Sequence, residues 1–423
     1  MKPENQPGYI PHVGPVSPTK PIRSHHKSVK DTIKDLLVSA RKHVAEFISS
    51  VVTYKADAIL LTGKEKHSGE SLRVFYFGHG ENLAYLAEQL FREHEDAILA
   101  ADVNPWRVNA WRKKHQADVD LVVLDLPWPV CRLVRNDDFI ALAPWINMVI
   151  PIGETWEAVV SRWSKNAKGV DLRRIRKHQL TYRTIDSEQA FLNFYHAFYV
   201  PYVTTRFGAA AFIEPEEKIV SIHEFGEIIE ILRGDTVIVA GVLIENYGSL
   251  GFVWTGMPAN VDPTMSDGGF AALYYFNVRL AYERGCDQVD CFTSRPSLSD
   301  GVLRYKRKWG AILSGCDALN GQILLKPMRM TPAVTAFLQQ NPLITLVDGG
   351  FVARLFFDES EVSAERVLET VDTYYTDGLR AMRLYSLNGF AHGIVDSLRE
   401  RGLPVQLYNL NGIEDPLQAY CRP

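Results

Sequence analysis

Hydrophobic and polar positions alternate in blocks along the N-terminal third of the chain. Short apolar runs bounded by turn residues are typical of buried strands, and apolar residues at helical spacing separate them. Strands that alternate with helices favour a parallel sheet, so residues 31–149 are predicted to form an N-terminal α/β domain. The predicted strands are LRVFYFG, AILAADV and VDLVVLDL, and the predicted helices are ENLAYLAEQLFREH and PWRVNAWRKKH.

The beginning of the chain lacks this alternation. Residues 1–30 hold six prolines before Ile22 and few apolar residues, which is typical of a flexible or extended tail. We expect a helix over about residues 29–51, because its apolar residues form a stripe with a period near 3.6. The stripe consists of Ile33, Leu36, Leu37, Ala40, Val44 and Phe47.

The C-terminal residues 350–423 repeat the alternation of strands and helices. The order of the segments predicts a βαβαβ arrangement. The segments are FVARLFF, SAERVLETVDTYY, LRAMRLYS, GFAHGIVDSLRERG and PVQLYNL.

The middle of the chain, residues 150–328, has a different pattern and is predicted to be a separate domain. Helical segments and a basic segment come first, and then strands that alternate as in an antiparallel sheet, with a turn at Gly234 and Asp235. A long amphipathic helix follows and is expected to end at Gly285. The segments are TWEAVVSRWS, EQAFLNFYHAFYVPYVTTRFG, EIIEILRG, DTVIVAGVLIENYGSLGFVWTG, GGFAALYYFNVRLAYERG and DQVDCFT.

Composition narrows the class of protein. The net charge is −4, so the chain as a whole is no nucleic-acid polycation, and we expect no DNA partner. Five cysteines without a C-x-x-C pair predict reduced thiols. The N-terminal residues lack the cationic-then-apolar pattern of a signal peptide, and the longest apolar run, FIALAPWINMVIPI, is too short and interrupted to span a bilayer. We therefore expect a cytoplasmic protein with no membrane span.

Three stretches of the middle region resemble a known family. They are DLRRIRKH, FYHAFYVPYVTTRFG and RLAYERGCDQVDCFTSRPSLSDGVLRYKRKWGA. Together they are similar to Fem-type aminoacyltransferases and related N-acyltransferases of the GNAT superfamily, over about 180 of the 423 residues. The resemblance implies an α/β protein with a central GNAT-like mixed sheet domain, flanked by N- and C-terminal βαβ-type segments.

The resemblance also implies a reaction, the transfer of an acyl or aminoacyl group to an amine on a small molecule or peptide. Lys306 matches a family lysine that contacts donor or acceptor and offsets negative charge at the reacting carbonyl, as a fixed oxyanion donor does. The neighbouring Arg304, Arg307 and Lys308 are interpreted as solvated surface charges.

A basic segment upstream predicts phosphate recognition. Between Arg162 and Arg183 stand eight lysines or arginines and one acid, Asp171. Arg174 and Lys177 lie three residues apart and share a helix face, so they are the predicted ligand contacts. The phosphate would belong to a coenzyme A pyrophosphate, a tRNA end or a nucleotide-linked sugar. The alternative is a helix face turned to water.

The coenzyme A loop of the family corresponds here to TMSDGGFAA. Gly268, Gly269 and the start of the following helix can present amides to a phosphate. Asp267 stands where the family has a cation, and we expect it to cap the helix. The donor is predicted to be acyl-coenzyme A rather than aminoacyl-tRNA, because tRNA binding normally requires a broad basic surface.

An amine nucleophile must lose a proton, which requires a general base. Asp290, inside an apolar strand, is the first candidate, and His223, Glu245 and Asp300 are the others. No residues are assigned to a metal.

Two other functions stay open. The segment FYFGHGENLAYLAEQL, with Asp102 and Asp125 after later strands, resembles the cofactor site of a Rossmann-type, S-adenosylmethionine-dependent methyltransferase. A GNAT-like binding protein that has lost catalysis is the third reading, supported by the lack of an obvious base.

Overall fold

The computed structural model describes residues 53–80, 82–108, 110, 114, 118–127, 130–131, 134, 139–208, 213–259, 267–316, 321–413 and 416–421. The predicted tail and the helix predicted over residues 29–51 lie outside the described residues.

The described strands are β1 (Ala56–Glu65), β2 (Ser71–Gly78), β3 (Phe91–Val103), β4 (Leu121–Leu126), β5 (Ile140–Leu142), β6 (Ile146–Pro151), β7 (Leu180–Ile185), β8 (Gly226–Arg233), β9 (Thr236–Asn246), β10 (Ser249–Gly256), β11 (Gln288–Ser294), β12 (Ile312–Gly315), β13 (Gln322–Pro327), β14 (Leu343–Val347), β15 (Gly350–Phe357), β16 (Leu379–Ser386) and β17 (Val405–Asn409).

The described α-helices are α1 (Leu83–Leu90), α2 (Trp156–Ser161), α3 (Leu172–Lys177), α4 (Glu188–Asn193), α5 (Val200–Phe207), α6 (Glu216–Val220), α7 (Gly269–Arg284), α8 (Gly301–Lys308), α9 (Pro332–Gln340), α10 (Ala364–Tyr374), α11 (Ile394–Glu400) and α12 (Pro416–Cys421). Wider π-helical turns, Ala167–Asp171 and Phe194–Tyr199, lead into α3 and α5.

The chain divides into two compact units. One runs from Ile150 to Asp290 among the described residues, and the other joins the residues up to Val149 with those from Cys291 onward. The predicted domain limits state which segments fold independently. The division into two units does not test independent folding, so the domain limits stay a prediction.

The sheet that contains the N-terminal strands has the order β3–β1–β2–β4–β13–β5. Only β2 and β4 are parallel neighbours in it. The expectation of a parallel sheet here is wrong, because β1, which the sequence analysis did not assign, lies between β2 and β3 and is antiparallel to both.

The helix predicted to run on to His94 ends at Leu90. Phe91 already pairs with Glu65, and Glu93 pairs with Lys64. Pairing with β1 supplies the backbone hydrogen bonds of this segment, so tertiary context overrides the local helical spacing.

Both faces of this sheet are covered by apolar side chains. Along β2, Val74 and Tyr76 pack on one face and Phe75 and Phe77 on the other. This arrangement explains why β2 and β4 are almost continuously apolar in the sequence.

The unit of residues 150–290 contains a mixed sheet in the order β7–β8–β9–β10–β11. Its first four strands are antiparallel neighbours, and β11 is parallel to β10. The predicted turn is present, since Gly234 joins β8 to β9 with a φ of 59°. Helix α7 connects β10 to β11 and ends at Gly285 in the left-handed conformation, as predicted.

The C-terminal sheet has the order β14–β15–β16–β17. Strands β15, β16 and β17 are parallel, with α10 and α11 between them in the chain, so the predicted βαβαβ arrangement is confirmed. The chain is therefore an α/β protein with a central mixed sheet, and further strands and helices precede and follow it in the chain. Among the described helices, none combines the length and the apolar character that crossing a membrane demands.

Candidate functional site

The start of helix α7 is the first part of the candidate site. Gly268 is its N-cap residue with a φ of 84°, and as a glycine it offers no side chain to cap the helix. A Cβ at Gly269 would lie 2.7 Å from Val239 Cγ2, so glycine lets the helix approach strand β9 closely. Backbone amides at a helix N-terminus favour an anion, and phosphate binding by these two glycines stays a prediction.

Helix α3 contributes cations to the same place. Arg174 Nε lies 3.5 Å from Asp267 Oδ1, and His178 Nε2 lies 3.4 Å from Asp267 Oδ2. A Cβ at Gly268 would be 3.2 Å from Arg174 Cβ. The structure thus brings Arg174 to Gly268, and Asp267 pairs with Arg174 and lies against His178 instead of capping α7, which corrects the expected N-cap role.

The other cations of α3 are exposed. Lys177 and Arg173 are exposed on α3, and the exposed Arg176 donates from Nε to the carbonyl of Leu172 at 3.1 Å. Lys177 shares the helix with Arg174, but its ligand contact stays a prediction. Most of the charge on α3 is therefore available to solvent or to a ligand that approaches from it.

Asp290 lies where β10 and β11 run side by side. It is half-buried and pairs with Gly251, at the end of a parallel ladder of three residue pairs. Directly beyond Gly251, the ladder between β10 and β9 slips between Phe252 and Thr255. Such a bulge takes backbone amides out of regular pairing and re-aims them. No sequence signal predicts this bulge, because its residues have the ordinary pattern of a strand.

The other general-base candidates have structural partners. His223 Nδ1 lies 2.8 Å from the carbonyl of Val220, and Glu245 Oε2 is 3.2 Å from Arg284 Nη1. Asp300 caps α8 by accepting from Leu303 N at 2.8 Å. The role of Asp290 as a base stays a prediction.

Lys306 lies within α8 and is only 5% exposed. Its Nζ donates to the main-chain carbonyls of Phe292 at 3.2 Å and Thr293 at 2.6 Å. Phe292 has a φ of 54°, which is strained for a bulky side chain. Lys306 therefore holds the irregular end of β11, and its predicted role at an oxyanion stays a prediction.

The charges beside Lys306 differ from one another. Arg304 is exposed, as expected. Arg307, however, donates to the carbonyls of Thr373 and Tyr375 at the C-terminus of α10, and burial lowers the pKa of its guanidinium. Its interpretation as a solvated charge is wrong, because a cation at a helix C-terminus satisfies orphan carbonyls and the negative end of the helix dipole.

The geometry required of a Rossmann-type cofactor site is absent from the N-terminal sheet. Asp102 lies on β3, which pairs with β1 and is not a neighbour of β2. The amide of Asp102 donates to Asp57. The methyltransferase interpretation is therefore wrong in its strand order. Asp125 does lie near the glycines, because Tyr76 Oη contacts both Asp125 Oδ2 and the amide of Gly80.

Within the described ranges, no group of three or more histidine, cysteine or acidic side chains is arranged to hold a metal ion.

Comparisons with known proteins complete the description. A scan against protein-family models finds no match, and a search of curated proteins finds none either.

Solved structures do show likenesses. A crystal structure of FemX matches with 11% identity and a TM-score of 0.34, over 64% of this chain and 84% of that one. L-PGS from Bacillus licheniformis matches with 10% identity and a TM-score of 0.33, over 67% and 85%. A GCN5-related N-acetyltransferase from Sphaerobacter thermophilus matches with 14% identity and a TM-score of 0.29, over 62% and 78%. TM-scores this low add nothing to the strand order described above.

Proposed function

We propose that this protein is an N-acyltransferase that moves an acyl or aminoacyl group from an activated donor to an amine. The observation that carries the proposal is the connection β10–α7–β11. A helix that starts at two glycines links two parallel strands, and Arg174 lies beside that start. This arrangement suits the anionic end of a large donor.

The donor is proposed to be acyl-coenzyme A. The open amides of α7 and the cations Arg174 and Lys177 would hold its phosphates. For this to happen, the donor must displace Asp267 from Arg174, and that exposed ion pair is weak enough for a phosphate to compete.

An aminoacyl-tRNA is the second candidate donor, and Asp267 favours it. A carboxylate directly before α7 repels a pyrophosphate at that position, whereas the exposed cations of α3 remain available to a nucleic-acid backbone. The bound tRNA would then lose affinity steeply as salt rises.

The catalytic assignments are part of the proposal. Within the unit of residues 150–290, the bulged amides of β10 are proposed to stabilise the oxyanion, and Asp290 to accept the proton of the attacking amine. The oxyanion role of Lys306 is a separate proposal, which rests on the match of Lys306 to the family lysine. Lys306→Arg should then slow transfer, because a planar fork does not replace a compact point charge.

The test is a transfer assay with two donors. One assay follows the release of free thiol from acetyl-coenzyme A, and the other follows the deacylation of aminoacyl-tRNA. Each is run with a panel of amines on the natural protein, Asp290→Asn and Lys306→Arg. Amine-dependent turnover with one donor supports the proposal and names the donor. Calorimetric binding of either donor without turnover would instead identify a GNAT-like binding protein.

A further inference from the structure

A guanidinium with an unusual environment lies directly after β11. Arg295 is half-buried, and its Cζ lies 3.6 Å from the ring centroid of Trp145 and 4.3 Å from that of Tyr85. The cation is therefore clamped between two aromatic faces, which fix the plane of the guanidinium.

The contacts at the edge of Arg295 are all neutral. Nη1 donates to Asn82 Oδ1 at 2.6 Å and to the carbonyl of Pro144 at 3.4 Å. Over the described parts of the chain, Nε and Nη2 make no hydrogen bond, and neither is a fully buried atom. No described carboxylate forms an ion pair with this cation. The N–H groups of Nε and Nη2, which lie parallel on one edge of the guanidinium, thus stay open to solvent.

Asn82 is itself held in place by a buried network. Its Nδ2 donates to both carboxylate oxygens of Asp125 at 3.1 Å, and Tyr76 Oη donates to Asp125 Oδ2 at 3.0 Å. These donors fix the amide so that its oxygen points to Arg295. Asn82 is only 7% exposed, so the network positions the guanidinium rigidly.

The position in the fold suits a ligand. Asp125 lies near the end of β4, and Asn82 follows the end of β2, its parallel neighbour. Ligands of α/β sheets bind outside the carboxyl ends of parallel strands. A Cβ at Gly80 would meet nothing within 4 Å, so space is open on this side of the network.

Arg295 has no carboxylate as a direct partner among the described residues. Burial lowers the pKa of its guanidinium, while Tyr85, Asp125 and Asp300 act against this shift. Both acids are already engaged, Asp125 by Asn82 and Tyr76, and Asp300 by the amide of Leu303. A planar fork with a free edge matches the two oxygens of a carboxylate or phosphate group.

We infer that Arg295 binds an oxyanion, a carboxylate or phosphate group of a ligand seated at the carboxyl ends of β2 and β4. Asn82, Asp125 and Tyr76 position the guanidinium and do not touch the ligand. This site lies wholly within one compact unit, and it is independent of the acyl transfer proposed above.

A nearby cavity limits where the rest of the ligand can lie. It is lined by Tyr85, Pro296 and apolar side chains such as Leu86 and Phe337, and its volume is about 20 Å³. That is room for about one water molecule, so no acyl chain enters it. The body of the ligand therefore stays on the open side, where Trp145 is 41% exposed.

The test uses three small probes of one shape. Binding of benzoate, phenyl phosphate and neutral benzamide to the full chain is measured by calorimetry. We expect at least one of the two anions to bind at least tenfold more tightly than benzamide, and the tighter anion identifies the group that the site takes. If neither anion binds more tightly than benzamide, the inference is wrong.

A charge-conserving variant tests the fork. Arg295→Lys should weaken binding of the preferred anion at least tenfold, whereas Arg304→Lys, a change at an exposed arginine, should leave it unchanged. Equal binding by the natural protein and Arg295→Lys would overturn the assignment.

A measurement on the natural protein covers the case that Arg295→Lys does not fold. Phenylglyoxal modifies arginine, and peptide mapping by mass spectrometry reports each site. The preferred anion should protect Arg295 several-fold and leave Arg304 as reactive as before. Loss of this difference, with the two arginines equally affected by the anion, would contradict the inference.

Discussion

Two sets of cations in this protein differ in what they face. In the basic segment around α3, Arg174 is 47% exposed and pairs with the carboxylate of Asp267. After β11, Arg295, Lys306 and Arg307 are half-buried or buried, and the contacts described for them are main-chain carbonyls, an amide oxygen and aromatic rings.

The difference teaches that the density of positive charge in a sequence does not locate the strongest cation sites. An exposed pair such as that of Arg174 contributes about 0–1 kcal/mol. A buried donor that holds carbonyls contributes more, because its removal leaves buried acceptors without a partner. The changes below test this contrast, from the largest expected effect to the smallest.

Lys306→Met should lower the free energy of unfolding by about 2–4 kcal/mol, because it orphans the carbonyls of Phe292 and Thr293. Urea unfolding followed by circular dichroism measures this change. The matched control Arg304→Met, at an exposed position of the same helix, should stay within about 0.5 kcal/mol. Equal stability of the two variants would mean that Lys306 has no structural role.

Gly269→Ala should lower the free energy of unfolding by about 1–3 kcal/mol. The added Cβ would lie 2.7 Å from Val239 Cγ2 and would force α7 away from β9. Gly301→Ala is the control, since a Cβ there meets nothing within 4 Å. If chemical unfolding shows the same small change for both, α7 does not depend on close approach to the sheet.

Stability should fall as the pH rises above 10. Burial, and then Asp125, raise the pKa of Tyr76 above its ordinary value of 10.0. The unfolded chain releases this proton near pH 10 while the folded chain keeps it. The contribution of protonated Tyr76 to the free energy of unfolding is therefore fully present below pH 10.0. It is lost above pH 10.0, by about 1.4 kcal/mol per pH unit.

Urea unfolding on both sides of pH 10 measures that slope. Tyr76→Phe should reduce the slope, and Tyr247→Phe should not, because Tyr247 is 98% exposed. If Tyr76→Phe leaves the slope unchanged, the network of Tyr76, Asp125 and Asn82 does not retain the phenolic proton of Tyr76.

Asp267→Asn should strengthen binding of coenzyme A by about fivefold, or about 1 kcal/mol, because it frees Arg174 and His178 from a carboxylate. Calorimetry measures the affinity, with Asp235→Asn in the exposed turn after β8 as the control. Weaker binding after Asp267→Asn would mean that the carboxylate orders the cations for the ligand.

The regular elements of the middle and C-terminal regions were determined by the sequence. Alternation predicted β8, the turn at Gly234 and one following strand segment, which the structure divides into β9 and β10. The glycine at position 285 defined the end of α7. Strand β16 has the limits that its apolar pattern predicted. In these places local propensity, turn chemistry and burial agree, so a local pattern suffices.

Tertiary structure decided which residues meet. The end of α1 and the antiparallel insertion of β1 depend on pairing between segments that are distant in the chain. Asn82 and Arg295 meet across 213 positions, a contact that no local pattern encodes. Long-range packing decides whether a cation pairs with a carboxylate, binds a carbonyl or keeps N–H groups open to solvent. The reason is that burial and the chemistry of the partner, rather than residue type, set the free energy of a charge.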